Sequence, residues 1–257
     1  MTPAERLDYK NKWHRFQQRY EGIYTTKFKA ALQDQVHQYI KHRDIHSITA
    51  TPIYKVLVEL YKTVGPLWAA KTGVHKTKVQ IKAAMPMGFS ERIVELMRQY
   101  YGIDLLNDAE LMTRTTRELI VKVLSDAAVS GISFDEIVRH LTTNPNFTAM
   151  RARRIARTET VTAANGAAMI NAQETGLKYK KEWIAVDDKR TRHNHKEVDG
   201  TIIDINTAYN VGGELMMQPG VRTQTNGLEV SEANFINCRC TQGFIAQRDA
   251  AGRLIRS

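Results

Sequence analysis

Apolar residues recur at three- and four-residue steps through the first forty positions: Leu7, Trp13, Phe16, Tyr20, Tyr24, Phe28, Leu32, Val36 and Tyr39. That period marks one face of an α-helix. It predicts a long helix over residues 4–43, interrupted only by Gly22. So aromatic a stripe is a packing seam and needs a partner, within the chain or on another subunit. Thr51-Pro52 has the form of a helix start, and Ile53, Val56, Leu57, Leu60 and Val64 continue the period until Gly65-Pro66 breaks or kinks it. KTGVHKTKVQIKAAMPMG is basic, lacks a period and reads as a loop. Helices resume over Phe89–Tyr101 and Ala109–Ser130, with Gly131 as a C-cap. Ser133 and Glu136 form a capping box opening a short helix that TTNPN ends. A long helix follows from Phe147 to Glu174, closed by Gly176. Its run of Ala163, Ala164, Gly166, Ala167 and Ala168 lets other backbones approach, so it is expected to be central and tightly packed.

After Gly176 the period changes. YKKEWIAV alternates around Trp183 as a strand does, and Asp199-Gly200 makes a turn into a short apolar strand. Asn206 to Asn234 is rich in Gly, Asn and Thr and reads as one long loop, and FINCRCTQGFIAQRD as a last strand. The fold class is α+β: a mainly helical N-terminal region with long helices (1–145), then a small C-terminal mixed α/β module with a few short strands (146–257).

Composition adds constraints. The 257 residues suffice for one large domain or two small ones, and no apolar run reaches the ~18 residues of a membrane span. MTPAERLDYKNKWHRF has no apolar core of a secretory signal, so the expected setting is the cytoplasm where the chain is made, or a particle assembled there. The net charge of +10 makes nucleic acid or an acidic protein surface a plausible partner. The excess is spread over both halves, so no basic tail is indicated. Two cysteines one residue apart are poor disulfide partners and fit a reduced setting.

The candidate chemistry lies in DDKRTRHNHKEVDG (Asp187–Gly200) and NCRC (Asn237–Cys240). His195, Cys238 and Cys240, with His193 as a fourth, offer the imidazole and thiolate donors that zinc favours. In an extended strand, side chains at i and i+2 stand ~6–7 Å apart, so the backbone must bend for both sulfurs to reach one ion. The alternative is that the two cysteines pack as small hydrophobes while His195 braces the turn. A metal-dependent nuclease or hydrolase centred on His193 and His195 is a further alternative, although consecutive His-Asn-His residues cannot converge as a nuclease centre requires. On the long helix, Arg157 and Asn165 lie near one face, and Glu159 is placed for ion pairing.

Taken together, RIARTETVTAANGAA, KKEWIAVDDKRTRHNHKEVDG, a loop with QPG, and NCRC resemble the head-morphogenesis domain of tailed bacteriophages. That family comprises minor head proteins similar to the phage Mu F protein and the phage SPP1 minor head protein. The resemblance covers about Ala149 to Ile245. Its pattern falls on Arg157, Thr158, Glu159, Asn165, Trp183, Asp188, Arg190, Arg192, His195, Asp199, Gly200, Asn237, Cys238, Arg239 and Cys240. Some relatives carry C-x-x-C where this chain has Arg192 and His195, so the resemblance implies at most an incomplete zinc set here. It implies a structural role rather than an enzyme: a low-copy virion component acting in procapsid assembly and DNA packaging or passage. The implied partners are the portal protein, other capsid or scaffold proteins and DNA. A plain DNA-binding protein is the second alternative. Asp188, Arg190, Arg192 and Asp199 are expected to form a charged network tying the turn to the Glu159 helix and to the Cys238–Cys240 segment.

Overall fold

The computed structural model describes residues 1–74, 89–144 and 149–257. Most of the basic segment read as a loop, the end of TTNPN, and the expected Phe147 helix start lie outside the described residues. The chain has seven α-helices and five strands among those residues. They are α1 (Pro3–His42), α2 (Thr51–Ala69), α3 (Phe89–Ser130), α4 (Phe134–Thr143), α5 (Ala149–Glu174), β1 (Tyr179–Ile184), α6 (His193–Glu197), β2 (Ile202–Asp204), β3 (Tyr209–Val211), β4 (Glu214–Met216), α7 (Glu232–Phe235) and β5 (Thr241–Ala246). The α+β class is as the sequence predicts.

Local chemistry explains the helix ends. Thr2 and Glu5 form a capping box at the start of α1: Thr2 N donates to Glu5 Oε2 at 2.8 Å, and Glu5 N to Thr2 Oγ1 at 3.3 Å. The predicted Ser133–Glu136 box opens α4, and Gly131 and Gly176 adopt the left-handed conformation that ends α3 and α5. Two expectations are revised. First, of the break or kink expected at Gly65-Pro66 the break is absent, and α2 runs through Pro66 to Ala69. Gly65 is needed there for close packing: an added Cβ would stand 2.4 Å from Met97 Sδ and 2.9 Å from Ala167 Cβ. Second, α3 is one helix where two were expected. Gly102 costs about 1 kcal/mol relative to alanine in a helix interior. Burial of Leu105 and Ala109 just beyond it offsets that cost.

The chain divides into two compact units, 1–20 with 61–99 and 157–257, and 21–60 with 100–156. Both units draw on α1, α2, α3 and α5, so neither is a continuous stretch. The division therefore differs from a single boundary at 145/146, because a long helix need not end where one packed core ends. In the second unit Val36, Tyr39, Ile48, Ile120 and Leu141 form a core. Buried Gln35 donates to Thr113 Oγ1 and accepts from Thr116 Oγ1, and Arg151 also donates to Thr116.

The first unit is built on α5, in which every residue from Thr158 to Ala172 is buried. Buried all round, this segment admits close neighbours along its run of small residues from Ala163 to Ala168. Tyr9, Trp13, Phe16 and Trp68 form an aromatic cluster, with the Trp13 and Trp68 rings 4.8 Å apart. A three-stranded antiparallel sheet has the order β2-β1-β5, with Trp183 opposite Gln242. The stretch read as one long loop contains the hairpin β3–β4 and the short helix α7. Gly212 and Gly213, both at positive φ, form its two-residue turn.

Candidate metal centre and its polar frame

The NCRC segment is not part of a straight strand; β5 begins only at Thr241. Asn237 takes a left-handed conformation (φ 61°), which asparagine tolerates better than most residues, and Cys238 N donates back to Phe235 O at 3.2 Å. The resulting bend brings both sulfurs to one histidine. Cys240 Sγ lies 3.4 Å and Cys238 Sγ 3.7 Å from His195 Nδ1, and all three side chains are buried. Two thiolates and an imidazole on one tetrahedral zinc, with bonds of ~2.3 and ~2.0–2.1 Å, would be separated by about 3.6 Å. The donor set and its spacing therefore fit zinc. The hydrogen bond from Cys240, above all, holds the Cys238 thiol well below its usual range, whereas the same contact and burial push Cys240 up. One of the pair is thus the readier thiolate.

His193 does not join them. At about 100° per residue, positions i and i+2 of α6 face nearly opposite directions. The His193 side chain is 89% exposed, with Nε2 3.1 Å from Glu197 Oε1. The two histidines consequently do not converge on one centre, and the described residues offer three metal ligands. Arg192 stands at the N-cap position of α6 without a side-chain cap, and its guanidinium donates instead to Ile236 O at 2.5 Å, just before the cysteine bend.

Around this centre the other candidates form a frame. Arg239 makes a two-pronged ion pair with Asp188, with NH1 2.5 Å from Oδ2 and NH2 2.6 Å from Oδ1. That contact holds the Asp188 carboxyl well below the usual carboxylate range. Asp188 also accepts from Arg190 N, while the Arg190 side chain stays exposed. Arg157 NH1 donates to Asn237 Oδ1 at 3.1 Å, and Asn237 N donates to Thr158 Oγ1 at 3.0 Å. Asn165 Nδ2 donates to Cys240 O and its Oδ1 accepts from Thr241 Oγ1. These bonds fasten α5 to the cysteine bend. Trp183 stands edge-on to the His195 ring at 5.6 Å. Gly200 (φ 77°) turns the chain so that its N–H donates to Trp183 O, and Asp199 accepts from Ala185 N. Glu159 is the exception: it accepts from Tyr61 OH and Arg222 and does not reach the turn. Burial pushes its carboxyl up to about 7.

Residues 118–243 match the family described as Phage Mu protein F like protein. Over that segment, just under half of its length, the chain is similar to the Mu F-like phage head-morphogenesis proteins. Two curated relatives match as well. The chain is 31% identical over 140 residues to NAD(+)--arginine ADP-ribosyltransferase EFV of Enterococcus faecalis (strain ATCC 700802 / V583), covering 51% of this chain and 25% of that protein. It is 30% identical over 136 residues to the uncharacterized protein YqbB of Bacillus subtilis (strain 168), covering 51% of this chain and 43% of that one. The chain thus spans less than half the length of either relative. No solved structure matches it.

The Mu F-like segment contains every candidate residue named above, but several residues outside it hold the frame in place. Arg6 of α1 pairs with both Glu182 and Asp199. Trp13 Nε1 donates to Arg239 O at 2.8 Å, and Tyr9 OH to Gln242 O at 2.9 Å. Sequence reading placed Trp13 in a packing stripe and gave Arg6 and Tyr9 no role, since partners some 170 or more residues away leave no local signal. Inside the segment, Lys181 was missed because its strand reads as ordinary alternation, yet it is fully buried. Thr162 Oγ1 donates to Gly220 O at 2.9 Å, which gives the glycine of the QPG loop its close seat on α5.

Proposed function

We propose that this chain is a structural, non-catalytic minor head protein of a tailed bacteriophage. It acts in procapsid assembly and at the interface between portal and DNA during packaging or passage. Its partners are the portal protein and other capsid or scaffold proteins, with non-specific contact to DNA. It works in the virion, inside the head or near the portal, after assembly in the host cytoplasm. The observation that carries this reading is the Mu F-like match over residues 118–243, the segment whose Arg157, Asn165, Asp188, Asn237 and Arg239 bonds converge on one buried bend. The transferase named among the relatives shares only a quarter of its length with this chain, so its activity is not carried across. Zinc is the metal proposed for His195, Cys238 and Cys240, as a clip that fixes the cysteine bend to α6.

Co-expression with the portal and major capsid proteins tests the assembly role. The expected result is incorporation into procapsids and cross-links to the portal; particles that form normally and exclude the chain would overturn it. Elemental analysis tests the clip. We expect close to one zinc per chain, lost in Cys238→Ser, together with no nicking of plasmid DNA. Metal-dependent nicking abolished in His195→Ala would favour the hydrolase reading instead. Zinc-free protein whose stability is unchanged by added zinc would leave the cysteines as packing residues.

A further inference from the structure

A cavity of about 460 Å³ opens beside α1, lined by Lys12, Arg15, Phe16, Arg19, Tyr20 and Lys71. The five α1 residues follow the three- and four-residue steps of one helix face, and Lys71 arrives just after the end of α2. Lys12 pairs with Asp8 at 2.6 Å. Among the described residues, no carboxylate pairs with Arg15, Arg19 or Lys71. Cations left unneutralised around a concavity focus a field that attracts anions. The floor is aromatic: the Phe16 and Tyr20 rings lie 4.6 Å apart, and the Arg19 guanidinium stands 5.9 Å from the Tyr20 ring.

We propose that this cavity binds single-stranded nucleic acid, taking one unpaired nucleotide with its base or sugar on the Phe16–Tyr20 floor and its flanking phosphates on Arg15, Arg19 and Lys71. An acidic peptide would satisfy the cations and leave the rings unused. A duplex would present phosphates but keep its bases stacked away from a concave floor. Of these three, the unpaired nucleotide brings both a flat ring and anions, and stacking on aromatic side chains beside cations is how sequence-tolerant single-strand sites work. The inference goes beyond the head-protein reading: none of these residues lies in the Mu F-like segment, and the site holds whether or not the chain enters a procapsid.

The test is fluorescence anisotropy of the full chain with a labelled mixed-sequence 20-mer deoxyoligonucleotide, its duplex, and polyglutamate as competitor. The Arg15→Ala/Arg19→Ala variant is expected to weaken single-strand binding at least about tenfold. The slope of log K against log salt should fall by about 1.4, since each phosphate contact on a single strand contributes about 0.7. Tyr20→Leu, checked for folding by circular dichroism, should weaken single-strand binding about fivefold or more and leave duplex binding unchanged. Lys122→Ala/Lys189→Ala, two exposed lysines elsewhere, should change affinity less than about twofold. Equal losses in the two double variants, duplex binding as tight as single-strand binding, or full displacement by polyglutamate would each overturn the proposal.

Discussion

Lys181 makes the stability of the first unit depend on pH in a direction opposite to that of most paired cations. Its side chain is fully buried on β1, its ammonium donates to Met217 O at 2.7 Å, and it lies 5.1 Å from the Tyr209 ring centre. Burial lowers its pKa from 10.5 to about 7. Between those values the unfolded chain holds a proton that the folded chain releases, so stability rises with pH across the window. Each pKa unit is worth about 1.36 kcal/mol, so the full span of pH 7 to 10.5 corresponds to about 5 kcal/mol. Because the group is already half neutral at pH 7, the gain from pH 7 to 9 is about 2 kcal/mol. Lys181→Met keeps the volume and removes the titration. Urea unfolding of both proteins at fixed ionic strength should therefore show the wild type gaining about 2 kcal/mol on the variant between pH 7 and 9, or roughly 4–8 °C in Tm for a chain of this size. A difference between wild type and Lys181→Met that stays flat from pH 7 to 9 would refute a buried, desolvated ammonium.

Other predictions probe the frame. Glu159→Ala removes the buried carboxylate that accepts from the Tyr61 hydroxyl and the Arg222 guanidinium and should cost about 3 kcal/mol, lowering Tm by roughly 6–12 °C in a thermal scan. Asp188 has a folded pKa held below its ordinary 3.8 by Arg239, so its contribution is present above that value and lost as pH falls through the folded one. Asp188→Asn should accordingly destabilise the protein at pH 7, with the gap to wild type closing in urea titrations below about pH 4. Gly220 has a φ of 85°, and an added Cβ would stand 3.1 Å from Thr162 N. Gly220→Ala should cost about 2–3 kcal/mol by urea unfolding, whereas Gly227→Ala, also at positive φ but with open space, should cost about 1–2.

What the sequence could and could not disclose follows from the range of each interaction. Periodicity is a local property, so α1, the Ser133 capping box, the buried small-residue run of α5 and the strand around Trp183 were all legible, whereas the continuity of α3 across Gly102 was not. The hairpin β3–β4 was also legible in principle, because Gly212-Gly213 between Tyr209/Val211 and Leu215 is a two-residue hairpin signal. Its surroundings, rich in Asn, Thr and Gly, concealed it within an apparent loop. The fate of His193 needed only the recognition that Arg192 begins a helical turn, which sends alternate residues to opposite faces. The bend at Asn237 was different: an asparagine before two cysteines fits a strand as well as a left-handed turn. What decides it is the Thr158 hydroxyl and the Arg157 guanidinium waiting on α5, 79 and 80 residues earlier in the chain. Those two bonds hold the backbone in the bend that brings both sulfurs to His195. The RTE motif and the NCRC motif are therefore two halves of one device. The arginine and threonine of the first fix the turn of the second, and Glu159, held by Tyr61 and Arg222, steadies the helix from which they reach.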